Sequence, residues 1–207
     1  FTCNKYLLNT YLYILLTFNL LIIINLVLEH NKIVLPLSLP ILIALLFINI
    51  GIIFLLHQID SEKVILKHLV WLLFVLIISI FVYPLYVSSD KKIVISALFT
   101  TLFITFVLSA FAYAKPELIS LSMGPILFFA LLIIIVMEIL LLFLFRNQLG
   151  EKSWMFRGIS YLVIFIFMGF ILYDTKRLQI NAKNCVKADY IKESLKLFLD
   201  ILNIFVR

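Results

Sequence analysis

The sequence has few of the residues on which soluble and secreted proteins depend. Only 14% of its residues are charged, and it contains two cysteines, five glycines and five prolines. Soluble domains have about 25% charged residues, so neither a soluble enzyme nor a nucleic-acid-binding protein is expected. Two cysteines are too few for a disulfide scaffold. The scarcity of glycine and proline argues against low-complexity sequence.

The two cysteines lie far apart in the sequence, at Cys3 and Cys185. Neither has a neighbouring cysteine or histidine at the spacing of a metal site, and nothing in their separation suggests that they pair. We therefore expect free thiols that face a reducing compartment.

Apolar residues dominate what is present. Hydrophobic residues make up 65% of the chain, and its mean hydropathy is +1.20. A globule of 207 residues has too much of its volume near its surface to bury two-thirds of its residues. Lipid is therefore the expected surrounding of most of the chain. In such a protein the net charge of +6 indicates orientation and contact with anionic lipid, not nucleic acid.

Six apolar runs are long enough to cross a bilayer, which needs roughly 20 apolar residues as a helix. Short polar breaks separate them, and such tight connections indicate antiparallel neighbours in one compact bundle. Residues 1–207 are thus expected to form a single transmembrane domain. The predicted spans are Tyr6–Leu28, Ile33–Leu56, Val64–Val87, Ile93–Ala114, Met123–Phe145 and Trp154–Tyr173.

The region that follows these runs has a different pattern. Asp174 to Lys187 is polar and basic, and residues 190–206 then predict a seventh helix. A polar stripe on this helix cannot face lipid, and its apolar part is marginal for a full crossing. The stripe consists of Lys192, Lys196, Asp200, Asn203 and Arg207. The expected fold is an all-α membrane protein, a seven-helix bundle with a short or re-entrant C-terminal helix at its centre.

Lysine and arginine also predict the orientation. With the N-terminus in the cytosol, the cytosolic side carries more basic residues than the far side, mainly because of the segment after the sixth span. Phe1 stands where a start methionine would be, so a short N-terminal piece is expected to be missing.

Three carboxylates lie at predicted membrane depth: Glu138, Asp174 and Asp200. An ionisable group there costs several kcal/mol unless it is protonated, paired or hydrated, so each is a functional candidate. Glu138 is either a protonated group bonded to a neighbouring Asn or Ser, or part of a cation site or proton relay. Asp200 either forms an ion pair with Lys196, one turn earlier, or has a functional role.

Asp174 is predicted to end the sixth span, where a carboxylate opposes the helix dipole. A cation or a shared proton would stabilise it. If Asp174 and Asp200 met, the pair would bind its last proton tightly and offer hard oxygen ligands to Ca²⁺. The spacing allows this meeting, because the intervening segment returns the chain to the same side of the membrane, but does not prove it.

Two C-terminal segments carry a family resemblance. The stretch from Ile171 to Thr175 contains a Tyr-Asp step, and Leu197–Phe205 contains Leu-Asp-x-x-Asn-x-Phe. These resemble the signature of the transmembrane Bax inhibitor motif family, which includes the Bax inhibitor, lifeguard and Golgi anti-apoptotic proteins. Ser96–Thr101 and Lys115–Leu118 also resemble the family's fourth span and the loop after it.

The resemblance implies a seven-helix fold whose last helix is surrounded by the other six. It implies a pH-sensitive Ca²⁺ leak without enzymatic activity and, in eukaryotic and viral relatives, suppression of cell death. Asp174 and Asp200 would be the paired carboxylates that close the pore, sense protons and contact Ca²⁺. The expected location is an intracellular membrane (endoplasmic reticulum or Golgi) in a eukaryotic or viral setting, or the plasma membrane in bacteria.

Family members can place an arginine near the cytosolic end of the second span, as a latch for the carboxylate pair. This chain has no arginine there, and His57 and Lys63 are the nearest cations. The candidates for an ion pathway or latch are therefore Glu138, His57, Lys196 and Asn203.

Two other functions remain open. The first is a membrane-embedded protein that regulates apoptosis by binding other membrane proteins, for which the basic segment Lys176–Lys192 is the relevant feature. The second is an H⁺/Ca²⁺ exchanger. A hydrolase is not expected, since no nucleophile–base pair is visible, and the histidines lack the paired spacing of a zinc site.

Several polar and aromatic residues inside the spans have structural interpretations. Small residues let helices approach closely, asparagines can bond between helices, and tryptophans suit the membrane interface. We expect close helix packing at Thr101, Thr105 and Ser109. We expect hydrogen bonds between helices from Asn9, Asn19, Asn25 and Asn49. Trp71 and Trp154 are expected at the membrane interface.

Overall fold

The protein is described here by a computed structural model that covers residues 3–33, 35, 38–144 and 153–207. Within these ranges the regular structure is helical throughout, with no strand. The seven α-helices are α1 (Tyr6–His30), α2 (Leu39–Gln58), α3 (Val64–Ser88), α4 (Lys91–Ala114), α5 (Met123–Leu144), α6 (Ser153–Lys183) and α7 (Tyr190–Phe205). A 3₁₀ turn at Pro116–Leu118 follows α4.

Six of the described helices, α1 to α6, are long and apolar enough to cross a membrane, and α7 is not among them. The predicted number of spanning helices is thus confirmed, and the protein is a multi-pass integral membrane protein. The second helix begins later than predicted, at Leu39, with Pro40 in its first turn. Proline suits that position because it lacks the N–H that a first turn leaves unpaired. Phe145 and the break at 148–152 lie outside the described residues.

The sixth helix is longer than the sequence pattern predicts. The expected end at Tyr173 is wrong, since α6 continues to Lys183. Residues 174–183 contain good helix formers and no glycine or proline, and Leu178 and Gln179 are buried. Asp174 therefore lies inside a helix, and the predicted conflict with a helix C-terminus does not arise.

The described helices fall into two compact units. Unit 1 comprises Phe1–Ser96 and Ala182–Phe198, and unit 2 comprises Ala97–Asn181 and Leu199–Arg207. In unit 1, α3 packs against α1 and α2. The start of α7 adds Phe198, whose ring centroid lies 4.8 Å from that of Phe18 and 6.0 Å from that of Phe74.

Unit 1 corrects two predictions: the interfacial position of Trp71, and the hydrogen bonds between helices from three asparagines. Trp71 is buried and packs edge-on against Tyr13, so it does not belong to an interfacial belt. The reason is its register, because Lys67, Trp71 and Phe74 share the buried face of α3. Trp154 is exposed, as an interfacial residue would be. The amides of three predicted interhelical asparagines donate instead to carbonyls four residues earlier in their own helices: Asn19, Asn25 and Asn49.

The prediction of free thiols is also wrong, because Cys3 and Cys185 form a disulfide. Folding brings the N-terminal segment to the connection between α6 and α7, which no spacing rule could show. Lys187 in this connection lies 2.5 Å from Asp60 Oδ1 and 3.0 Å from Glu62 Oε1.

The ion pair at Lys187 depends on pH. The Lys187 ammonium donates a hydrogen bond that lowers the pKa of Asp60, and the backbone N–H of Glu62 lowers it further. A lowered folded pKa means that this contact adds stability above the ordinary carboxyl pKa of about 3.9. That contribution is lost as the pH falls through the folded value.

A buried lysine anchors the start of α7. Lys67 is fully buried, forms an ion pair with Asp189 and donates a hydrogen bond of 2.9 Å to the carbonyl of Ile59. The other oxygen of Asp189 accepts a 3.1 Å hydrogen bond from the backbone N–H of Lys192, which caps the helix. One aspartate thus joins the first turn of α3 to the first turn of α7.

Replacement of the buried lysine should destabilise the protein. Lys67→Met keeps the apolar stem but leaves Asp189, which is 19% exposed, without its cation. We expect the free energy of unfolding in detergent to fall by about 2–3 kcal/mol. Lys115→Met is the control, because that lysine is 62% exposed and 4.0 Å from its partner Glu117. The control should change stability by less than about 0.5 kcal/mol. Equal effects of the two substitutions would contradict the anchor.

Candidate functional site

Two carboxyl groups from α6 and α7 meet in unit 2. The side chain of Asp200 is hydrogen-bonded to that of Asp174, and Asp200 is only 7% exposed. Asp174 lies inside the long helix α6. Asp200 lies on the polar stripe of α7, and the residue after it, Ile201, is also buried. The meeting that the sequence spacing allowed is thus present in the structure.

A hydrogen bond between two carboxyl groups requires a proton, because an ionised carboxylate can only accept. The bond between Asp174 and Asp200 therefore depends on a proton carried by one of the two groups. Its loss would place two negative charges in contact, away from water, where like charges repel strongly.

One carboxyl oxygen of Asp200 has no hydrogen-bond partner. Asp200 Oδ2 is buried and has no hydrogen-bond partner within the protein. A buried acceptor without a partner is costly, so this atom could accept a bond from water or contact a cation. It is the feature of the site that best fits a visiting ion.

Polar contacts fix the α6 segment that carries Asp174. Thr175 and Ser109 are both buried, and their hydroxyl oxygens lie 3.3 Å apart. Gln179, one turn further along α6, donates a 3.1 Å hydrogen bond to the carbonyl of Ala112. Lys176 donates to the carbonyl of Ile119. These contacts tie α6 to α4 and to the loop after it.

The predicted packing ridge on α4 is buried at all three positions: Thr101, Thr105 and Ser109. This confirms its role in helix packing. Ser109 additionally bonds to α6, a contact that the sequence pattern did not identify.

A close approach between helices positions the residue before Asp174. A Cβ atom added to Gly124 would lie 2.7 Å from the Tyr173 ring, so only glycine leaves room for the tyrosine. Sequence reasoning missed this contact. The only signal was a glycine in the first turn of an otherwise apolar helix.

Glu138 is paired, but not with the partner that the sequence suggested. Arg207 forms a two-pronged ion pair with it, in which Nη2 lies 3.0 Å from Oε2. The interpretation as a group bonded to a neighbouring Asn or Ser is therefore wrong, since both carboxylate oxygens of Glu138 accept from the Arg207 guanidinium. A role of Glu138 in an ion pathway stays a prediction.

The remaining candidates bond locally. Both oxygens of Glu193 lie 3.1 Å from Lys196 Nζ, so of the two interpretations of Asp200 the one that paired it with Lys196 is wrong. Asn203 donates a 2.8 Å bond to the Leu199 carbonyl in its own helix. His57 Nδ1 lies 2.9 Å from the Ile53 carbonyl oxygen. Their roles as pathway or latch stay predictions.

The acidic pair has only part of what a Ca²⁺ ion prefers. Within the described residues no group of three or more His, Cys, Asp or Glu side chains could hold a metal. Two carboxylates supply at most four oxygens, whereas Ca²⁺ takes six to eight. Backbone carbonyls or water would have to complete the shell, which suits an ion in passage more than one held permanently.

Comparison with known proteins shows extensive similarity to one family. The profile of the family described as inhibitor of apoptosis-promoting Bax1 matches residues 3–207. A BI1-like protein of Arabidopsis thaliana is 36% identical over 121 residues, which cover 57% of this chain and 44% of that protein. Protein LIFEGUARD 1 of the same plant is 35% identical over 121 residues, 57% of this chain and 48% of its own length.

A relative from an animal is similar to the same extent. A protein named probable Bax inhibitor 1, from Paralichthys olivaceus, is 32% identical over 121 residues. The match covers 58% of this chain and 47% of that protein. The matched part of the chain thus spans about half the length of the curated relatives.

Substitution of the contact glycine should be costly. Gly124→Ala places a methyl group against the Tyr173 ring, and overpacking of this kind lowers the free energy of unfolding by about 1–3 kcal/mol. Gly158→Ala is the matched control, because a Cβ there meets nothing within 4 Å. Its effect should be neutral or stabilising by up to about 1 kcal/mol. Thermal unfolding in detergent measures both, and a neutral Gly124→Ala would refute the contact.

Proposed function

The chain belongs to the family described as inhibitor of apoptosis-promoting Bax1, and from this premise we propose that it is a pH-sensitive Ca²⁺ leak channel. The observation that carries the proposal is the hydrogen bond between Asp174 and Asp200. It places a proton-dependent contact between a membrane-spanning helix, α6, and the polar helix α7. The activity is passive transport and not enzymatic catalysis.

The gate follows from the chemistry of the pair. With its proton present, the hydrogen bond holds α6 against α7 and the path is closed. Loss of the proton leaves two adjacent anions that repel each other and attract a divalent cation. In this proposal α7 lies at the centre of the six spanning helices, as a short or re-entrant element, and its polar stripe lines the path.

The unused oxygen of Asp200 supports this role for the site. Oδ2 is buried without a protein partner, so an ion that enters gains an oxygen ligand without breaking an existing bond. Ca²⁺ is here the transported ion and the proton is the regulator. His57, in the last turn of α2, is the proposed substitute for the family's arginine latch.

The names of the relatives suggest a physiological role. They are called Bax inhibitors and LIFEGUARD proteins, so we propose that this chain suppresses cell death in its host. An intracellular membrane, endoplasmic reticulum or Golgi, is the proposed location in a eukaryotic or viral setting. The plasma membrane is the proposed location in bacteria. Apoptosis-related membrane proteins are candidate partners.

Calcium flux in proteoliposomes tests the gate. Purified protein, assayed between about pH 5 and about pH 8, should release Ca²⁺ passively, at a rate that rises with pH as the pair loses its proton. In Asp174→Asn and Asp200→Asn the amide donates to the remaining carboxylate without needing a proton. Each variant should therefore lose the pH dependence, with flux changed about tenfold or more at one end of the range.

The matched control is Glu117→Gln, which removes an exposed carboxylate from the loop between α4 and α5. Its flux and pH profile should equal those of the wild type. The gating proposal is lost if both aspartate variants also behave like the wild type. Saturable transport that depends on a counter-ion would indicate an exchanger. Absence of flux, with partner capture that survives both substitutions, would indicate an interaction protein.

A further inference from the structure

Within unit 1, the connection between α6 and α7 is fastened to the N-terminal part of the unit, Phe1–Ser96, at three places. Cys185 is bonded to Cys3, Lys187 pairs with Asp60 and Glu62, and Asp189 pairs with Lys67. Of these, only the lysine at the last place is fully buried. Cys3 is exposed and Cys185 is partly exposed, so a small thiol in solution can reach the disulfide.

Both cysteines lie on one side of the membrane. Cys3 precedes α1, Cys185 follows α6, and the six described candidate spans lie between them. The excess of lysine and arginine on this side indicates the cytosol. Cytosolic thiols are kept reduced by the glutathione and thioredoxin systems, and an exposed disulfide that forms there is usually transient and redox-sensing.

We propose that Cys3 and Cys185 form a reversible thiol–disulfide switch, with a glutathione-class thiol as its reactant. Oxidised, the bond fixes the N-terminal segment to the α6–α7 connection. Reduced, that connection keeps the ion pairs of Lys187 and Asp189 and the buried Ala188, and loses its covalent link. The proposal concerns a modification site and does not depend on ion transport.

The chemistry is ordinary disulfide exchange. A glutathione thiolate attacks one sulfur, the bond between the two cysteines breaks, and the released thiolate takes a proton. A second glutathione thiolate then attacks the mixed disulfide and releases the other cysteine. Two glutathione molecules are oxidised to their disulfide, and the protein gains two thiols.

The two states differ in what holds the connection. The oxidised bond joins residues separated by 182 positions. In the reduced state the pairs of Lys187 with Asp60 and Glu62 are exposed to water and screened by salt. The buried Lys67–Asp189 pair still holds the first turn of α7. Reduction should therefore loosen the connection up to Lys187 and leave the start of the helix in place.

Thiol labelling tests the switch. The whole protein, purified in detergent, is equilibrated with defined ratios of reduced and oxidised glutathione, quenched with acid and labelled with a polyethylene-glycol maleimide. We expect no label when oxidised, two labels per chain when reduced, and one transition within the cytosolic range of ratios. In the reducing buffers Cys3→Ser and Cys185→Ser should each carry one label, because each variant keeps one free thiol. Sealed vesicles of known protein orientation test the side. After reduction, a membrane-impermeant maleimide added outside should label the two cysteines only in vesicles whose protein has its N-terminus outside.

Hydrogen exchange measures the structural consequence. Amide exchange in residues 184–187 should rise about tenfold on reduction, and rise again when salt goes from about 0.1 M to about 1 M. Exchange at 190–195 should change little. Thiols that label fully without reductant, a bond that survives the most reducing buffer, or disulfide-linked dimers would each overturn the proposal. So would identical exchange in the two redox states.

Discussion

An ionisable group inside a membrane protein must find its partner within the protein, and this constraint governs the structure. The chain places Asp174 and Asp200 on two different helices, and they satisfy the constraint together by a hydrogen bond that contains a proton. Glu138 satisfies it with Arg207, and Lys67 with Asp189. Each of these three contacts involves α7 or a residue within two positions of one of its ends.

The helix α7 is therefore held by charge as well as by apolar packing. It is shorter than a typical crossing and carries a polar stripe, yet Ile191, Leu195 and Phe198 are almost completely buried. Such a helix cannot lie against lipid over most of its surface. Its position depends on the small number of polar contacts described above.

Local patterns in the sequence predicted the six spans well. Uninterrupted apolar runs and short polar breaks are strong signals, and they located α3, α4 and α5 to within two residues at their described ends. The pattern failed at the end of α6, because polarity indicates exposure to water and not loss of helical structure. The segment 174–183 is rich in polar residues and is also helical. The predicted helix ends where the polar residues begin.

Partners of polar side chains were much harder to predict than helices. Spacing alone paired Lys196 with Asp200, whereas the lysine lies nearer to Glu193 on the same helix. No local rule could have joined Cys3 to Cys185, or Tyr173 to Gly124, since those contacts depend on how distant segments pack. The meeting of Asp174 with Asp200 is the exception, because motif resemblance added information that spacing lacked.

Infrared difference spectroscopy of the protein in lipid tests the central claim, a proton shared by two carboxyl groups, most directly. The account predicts the C=O band of a hydrogen-bonded, protonated carboxylic acid in the wild type. Asp174→Asn and Asp200→Asn should each remove it, whereas Glu117→Gln should leave it unchanged. A band that persists in both aspartate variants, or is absent from the wild type at every pH at which the protein stays folded, would contradict the account.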